Sequence, residues 1–187
     1  MIYFETERMV FRDWRELDTV PFRAMNKDPR VMEFFPNTLS DTQTDAFISR
    51  INDEFSTYGY GLFAVDEKDK GAFIGFIGFH WAAFQSEFTP CIEIGWRLIF
   101  KAWGKGFATE GAKACLKYGF EQLGFDKVLS FTSATNTRSQ KVMKKIGMTK
   151  SAEFNHPNVC EDSPLKPHVL FKITQADWRA LPENGNQ

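Results

Sequence analysis

The sequence predicts a mixed α+β (α/β) chain in one domain, with helices first and a mixed sheet after them. Three observations predict it. Helical periodicity is clearest over residues 40–59, strand-like segments follow one another from 60 to 100, and strand and helix patterns alternate from 105 onward. A length of 187 residues suits one well-packed domain, 1–187 with a core over about 7–175, and is short for two.

In order, "TERMVFRDW" (6–14) reads as a first strand. Residues 15–35 read as short helices interrupted by Pro21 and Pro29, with Pro36 marking their end. Residues 40–59 form a longer helix: Ser40 and Gln43 have capping-box spacing, and Phe47, Ile48, Ile51, Phe55 and Tyr58 recur on one face. "YGLFAVDE" (60–67), "AFIGFIGFHWAAF" (72–84) and "PCIEIGWRLIF" (90–100) read as consecutive antiparallel strands. A helix over 105–124 buries Ala108, Ala112, Cys115, Leu116, Gly119 and Leu123. Then come a strand (127–134), a helix (137–146) stopped by Gly147, and two closing strands, "MTKSAEF" and "HVLFKI", around a Pro-rich loop at 156–167. The tail after Trp178 reads as loose.

Composition narrows the function classes. Twenty Phe among 187 residues supply apolar area for a core. A net charge of −1 gives no field to recruit nucleic acid or an anionic membrane. The N-terminus, "MIYFETERMVF", has charges where a signal peptide needs an apolar run, and the stretch 72–84 is too short to span a bilayer. Cys91, Cys115 and Cys160 lie far apart without metal-ligand spacing, so the expectation is a cytoplasmic protein with free thiols and no metal.

The segment "AWGKGFATEG" (102–111) places two glycines between a strand and a helix start. Unpaired N–H groups there can hold phosphate, and glycine lets a ligand approach the backbone. A Walker A loop needs Lys then Ser/Thr after its last glycine, and the dinucleotide fingerprint needs glycine where Thr109 stands. What fits is x-x-x-G-x-A over 103–108. This resembles the pyrophosphate loop of the GNAT N-acetyltransferases, Gln/Arg-x-x-Gly-x-Gly/Ala, departing from it at Trp103. "WGKGFATEG" is similar to the branch containing RimJ and RimL. "NTRSQKVMKKIGM" (136–148) resembles the family's element after its fifth strand, and "IEIGWRL" (92–98) its fourth strand.

The resemblance implies a three-layer fold: a mixed, mostly antiparallel sheet of about seven strands, splayed between the fourth and fifth and flanked by helices. It implies acetyl-CoA as co-substrate and an amine acceptor, a protein N-terminus or a small molecule. By the same resemblance, the backbone of Trp96, Arg97 and Leu98 would pair with the pantetheine arm. The amides of Gly104, Lys105, Gly106, Phe107, Ala108 and Thr109 would hold the pyrophosphate, and Asn136 would bond near the reactive end. Glu110 would point away from the phosphates, as a partner for the helix dipole. Lys141, Lys144 and Lys145 form either a 3′-phosphate contact or a solvated helix face. An acyl-CoA-binding module without turnover is the alternative from another class, and monomer and homodimer both stay open.

Acetyl transfer needs a neutral amine, a polarised thioester carbonyl and a proton for the departing thiolate. Neutralising an α-amine at pH 7 costs about 1.4 kcal/mol, against about 4.6 kcal/mol for a lysine. Glu93 lies in an apolar strand, with Gly95 and Arg97 on its face, so it reads as a base, as one half of a salt bridge with Arg97, or as both. Many family members carry a protonating Tyr seven residues after the Asn; here that position is Met143. The RimJ/RimL-like branch has Ser at the third position after the Asn, so Ser139 could steady the thiolate, relay a proton, or simply open a helix. His80, His156 and His168 are bases or structural hydrogen-bonders, and the loop 155–168 is placed to shape the acceptor site.

Overall fold

The computed structural model describes residues 1–182. Eight strands form one sheet: β1 (Ile2–Glu5), β2 (Met9–Arg12), β3 (Leu62–Glu67), β4 (Ala72–Ala82), β5 (Cys91–Leu98), β6 (Lys127–Ser133), β7 (Thr149–Asn155) and β8 (Pro167–Thr174). Their order is β1-β2-β3-β4-β5-β6-β8-β7, and every neighbouring pair is antiparallel except β5–β6. The count is eight rather than seven because an additional strand, β1, precedes the predicted first strand (6–14) and forms a hairpin with β2 inside it. The polar run around Thr6 is its turn, with the Thr6 hydroxyl accepting from the Met9 N–H at 3.0 Å. The predicted splay between the fourth and fifth strands therefore lies between β5 and β6.

Helices α1 (Thr19–Lys27) and α2 (Asp41–Tyr58) cover one sheet face, and α3 (Phe107–Glu121) the other; α4 (Thr137–Lys145) precedes β7 and α5 (Gln175–Arg179) ends the described chain. Pro21 does not interrupt α1. It sits in the first turn, where a missing N–H costs nothing, and no helix forms over 28–39. The α2 capping box is formed: Gln43 N–H donates to Ser40 Oγ at 3.2 Å, and Ser40 N–H to Gln43 Oε1 at 2.8 Å.

Alternation in the sheet separates two cores. Ile77, Phe79 and Ile94 pack with Ala112, Cys115 and Leu116 on the α3 side; Leu62 and Phe76 pack with Phe22, Met25 and Ile51 on the α1/α2 side. Gly111 lets α3 sit close, since a Cβ there would stand 2.4 Å from Ile77 Cδ1. Of the phenylalanines only Phe35 and Phe100 are exposed. Buried Arg12 is held by Asp18 (2.7 and 2.8 Å) and Asp66 (2.6 and 2.5 Å), tying β2 to β3 and to the turn before α1. The tail is ordered further than predicted. Trp178 is buried and Leu181 packs on the main core, while residues 183–187 lie outside the described residues. Cys91 and Cys115 are buried, Cys160 is exposed, and all three are free thiols. Among the described residues no helix is long and apolar enough to cross a membrane.

Candidate active site

Strands β5 and β6 touch through one residue pair, Glu93 and Leu129. Beyond it the Ser130 hydroxyl donates to the Ile94 carbonyl at 2.8 Å, taking the acceptor that the next rung of a ladder would use. On the other edge of β5, Ile99 N–H donates to the Ile74 carbonyl at 2.9 Å. Alternation then turns the main chains of Glu93, Gly95 and Arg97 toward β4, and those of Ile94, Trp96 and Leu98 toward β6. Trp96 thus offers both N–H and C=O to the gap. Leu98 offers its N–H, its carbonyl being bonded by the Trp103 indole at 2.8 Å. Arg97, expected to offer its backbone there, spends it on β4 and contributes to this region only through its side chain.

The glycine loop follows. Gly104 and Gly106 have φ of +74° and +83°, and α3 starts at Phe107 with no side chain capping its first turn. Glu110 is turned away and held by Arg8, Nη2 to Oε2 at 2.6 Å and Nε to Oε2 at 2.7 Å. Burial opposes the Glu110 charge, but its bonds to Thr6 and Arg8 keep its pKa below the usual carboxylate value. Arg8 also donates to the Lys105 carbonyl at 2.9 Å and lies 4.6 Å over the Phe107 ring, so it clamps both sides of the loop. Ala108 and Thr109 are half-buried in the first turn.

Asn136 caps α4: its Oδ1 accepts from Ser139 N–H at 3.1 Å and its Nδ2 donates to Thr132 Oγ1 at 3.0 Å. The Ser139 hydroxyl has no hydrogen bond among the described residues and the side chain is half-buried. Met143 is buried and has no proton to give.

Three titratable groups gather on the α1/α2 face. His80 and Glu93 stand opposite each other in the β4–β5 ladder, and Glu54 of α2 accepts from His80 Nδ1 at 2.5 Å. Burial disfavours the His80 cation, yet the bond and charge of Glu54, with the nearby Glu93, raise its pKa. Desolvation pushes Glu93 up to about 8, against a lowering by His80 and with a smaller push from Glu54. The salt bridge between Glu93 and Arg97 does not form; Arg97 donates to Asn26 Oδ1 at 2.7 Å instead.

His156 and His168 sit apart from that group. Their rings are 4.9 Å from each other, among Phe131 and Phe154, with Phe84 against His156. Burial, with help from His168 and Lys166, pushes His156 down to about 4; burial also lowers His168. Both are neutral at pH 7.

The family model for the acetyltransferase (GNAT) domain matches residues 8–149. The chain belongs to the GNAT acetyltransferase family. It is an acyltransferase, and its family uses acetyl-CoA. It is 28% identical over 178 residues to the uncharacterised N-acetyltransferase YnaD of Bacillus subtilis, covering 95% of this chain and 99% of that one. A crystal structure of a GNAT-family acetyltransferase from Bacillus anthracis superposes with a TM-score of 0.76 at 25% identity, over 94% of this chain and 99% of that one. Spermidine N-acetyltransferase from Vibrio cholerae, solved with CoA and spermine, shares the fold with a TM-score of 0.73 at 15% identity, over 92% and 99% of the two chains. The [ribosomal protein uS5]-alanine N-acetyltransferase of Escherichia coli is 25% identical over 131 residues, 70% of this chain and 64% of that one.

Sequence reasoning missed three side chains that hold the candidate residues in place: Glu54, Asn26 and Arg8. Each acts across the chain, through Glu54–His80, Asn26–Arg97 and Arg8–Glu110. Helical phase was the one available signal for Glu54, which follows buried Ile51 by three positions and so lies near the sheet-facing side of α2.

Proposed function

We propose that the protein transfers an acetyl group from acetyl-CoA directly to a primary amine in the cytoplasm, with a protein N-terminal α-amine, as in RimJ and RimL, as the leading acceptor class. The observation that carries this reading is the gap at Ile94, which leaves the Trp96 main chain unpaired on the same strand as Glu93. The uncapped start of α3 fits a pyrophosphate, and the free edge of β5 fits an amide-bearing arm. Acetyl-CoA supplies an activated thioester. Glu93 takes the proton from the acceptor ammonium, so that the neutral nitrogen can form the C–N bond as the C–S bond breaks. His80, aligned by Glu54, sets the Glu93 proton affinity from across the strand pair. The Ser139 hydroxyl, free of other partners among the described residues, donates to the departing thiolate.

The test is thiol release from acetyl-CoA with N-terminal peptides, polyamines and amino sugars as acceptors. Turnover with an N-terminal peptide above the acceptor-free rate supports the reading. Tight acetyl-CoA binding without turnover on any acceptor would make this a binding module instead.

A further inference from the structure

The side chain of Arg97 lies on this face, and acetyl transfer leaves it without a task. It is 9% exposed, and among the described residues its guanidinium makes one hydrogen bond, Nη1 to Asn26 Oδ1 at 2.7 Å. Phe35 lies 4.1 Å over it, with Phe76 and Phe47 at 5.4 and 5.6 Å. Its Nε is buried with no hydrogen-bond partner, and among the described residues no carboxylate pairs with it. Desolvation depresses its pKa, and no acid restores it. Arg12 is the internal contrast: also buried, it is met by two aspartates and its pKa is raised. Where this fold uses a buried guanidinium as a structural tie, it supplies the counter-charge.

Asn26 is itself fixed, fully buried with Nδ2 donating to Thr44 Oγ1 at 3.3 Å, so α1 and α2 together aim the guanidinium. On the same face of β5, Gly95 separates Arg97 from Glu93, and a Cβ on Gly95 would meet nothing within 4 Å. Open space therefore lies between a proton acceptor and an uncompensated cation, whose Cα atoms are about 13 Å apart along the strand.

We infer that Arg97 receives an anionic group of the acceptor, so that the substrate is a primary amine carrying a carboxylate, and not a polyamine. This rests on the transfer reading above. The carboxylate belongs either to a free amino acid-like compound or to an acidic residue next to a peptide N-terminus. A second ammonium in the same place would meet an unpaired guanidinium and be repelled.

The experiment compares ω-amino carboxylates, from glycine to 6-aminohexanoate, with their carboxamides. It adds peptides beginning Ala-Glu against Ala-Gln, and spermidine. Thiol release gives kcat/KM, and calorimetric titration into the CoA-loaded protein gives binding without turnover. The expected result is a preference for the anionic member of one pair by a factor on the order of a hundred, abolished in Arg97→Met, with spermidine inert. The pair that shows it distinguishes the two sources of the carboxylate. Ligand-free Arg97→Met should bind CoA equally well. Equal rates and equal binding of carboxylate and amide throughout would overturn the proposal. So would a Tm lowered by several degrees in Arg97→Met with acceptor preference intact, which marks a structural cation, or a CoA affinity lowered tenfold, which assigns the guanidinium to the cofactor. If no acceptor turns over while anionic members still bind through Arg97, the transfer reading fails and the anion site stands.

Discussion

Glu93 sits in an apolar strand, and its pKa of about 8 governs how it can meet an ammonium group. Below that pH the carboxyl keeps its own proton and accepts no other; above it the carboxylate is the major form. As a base, it should therefore give kcat that falls about tenfold per unit as pH drops below 8 and levels off above it. Glu93→Gln should erase this limb and lower kcat by about 10²-fold or more. His80→Gln removes a cation that lowers the Glu93 pKa and leaves Glu54 uncompensated, so the limb should move to higher pH. A limb unmoved in both variants would assign proton transfer to another group. Ser139 is tested separately. If its hydroxyl donates to the departing thiolate, that bond strengthens only as charge develops on sulfur, so Ser139→Ala should lose between about tenfold and a thousandfold in kcat with acetyl-CoA affinity unchanged. Full kcat with weakened CoA binding would restrict the serine to holding the cofactor.

At the level of elements, the β5–β6 gap depends on one hydroxyl. Ser130 is 2% exposed and satisfies the Ile94 carbonyl from within β6. Ser130→Ala leaves that carbonyl either unpaired, at a cost of about 1–3 kcal/mol, or bonded by a lengthened ladder that narrows the gap. Both outcomes should lower Tm or raise the KM for acetyl-CoA, measured by thermal melting and thiol release; a variant unchanged in both would remove Ser130 from the account. Elements whose signals are local were legible in the sequence. The capping box of α2 and the positive φ of Gly147 at the end of α4 depend on residues within a few positions of each other. The β1–β2 hairpin was not legible, because "ETER" reads equally as exposed strand positions and as a turn, and only pairing with β3 separates the two. Glu93 was visible as a carboxylate in an apolar strand. The partners that set its proton affinity were not, since the Glu54–His80 contact joins a helix to a strand 26 positions away.

For the molecule as a whole, the sheet divides the labour between its faces and its edge. The α1/α2 face holds Glu54, His80, Glu93 and Arg97; the α3 side carries the glycine loop, clamped through Arg8 and Glu110; the open edge of β5 lies between them. Residue-resolved amide exchange, with and without CoA, tests this division most directly. Added CoA should slow exchange at Trp96 and Leu98, whose N–H groups face the gap, and at Phe107, Ala108 and Thr109 in the first turn of α3. Arg97, already bonded to β4, should change little. Protection of the α3 amides with Trp96 exchanging as fast as before would contradict the account, because the cofactor arm would then lie outside the gap.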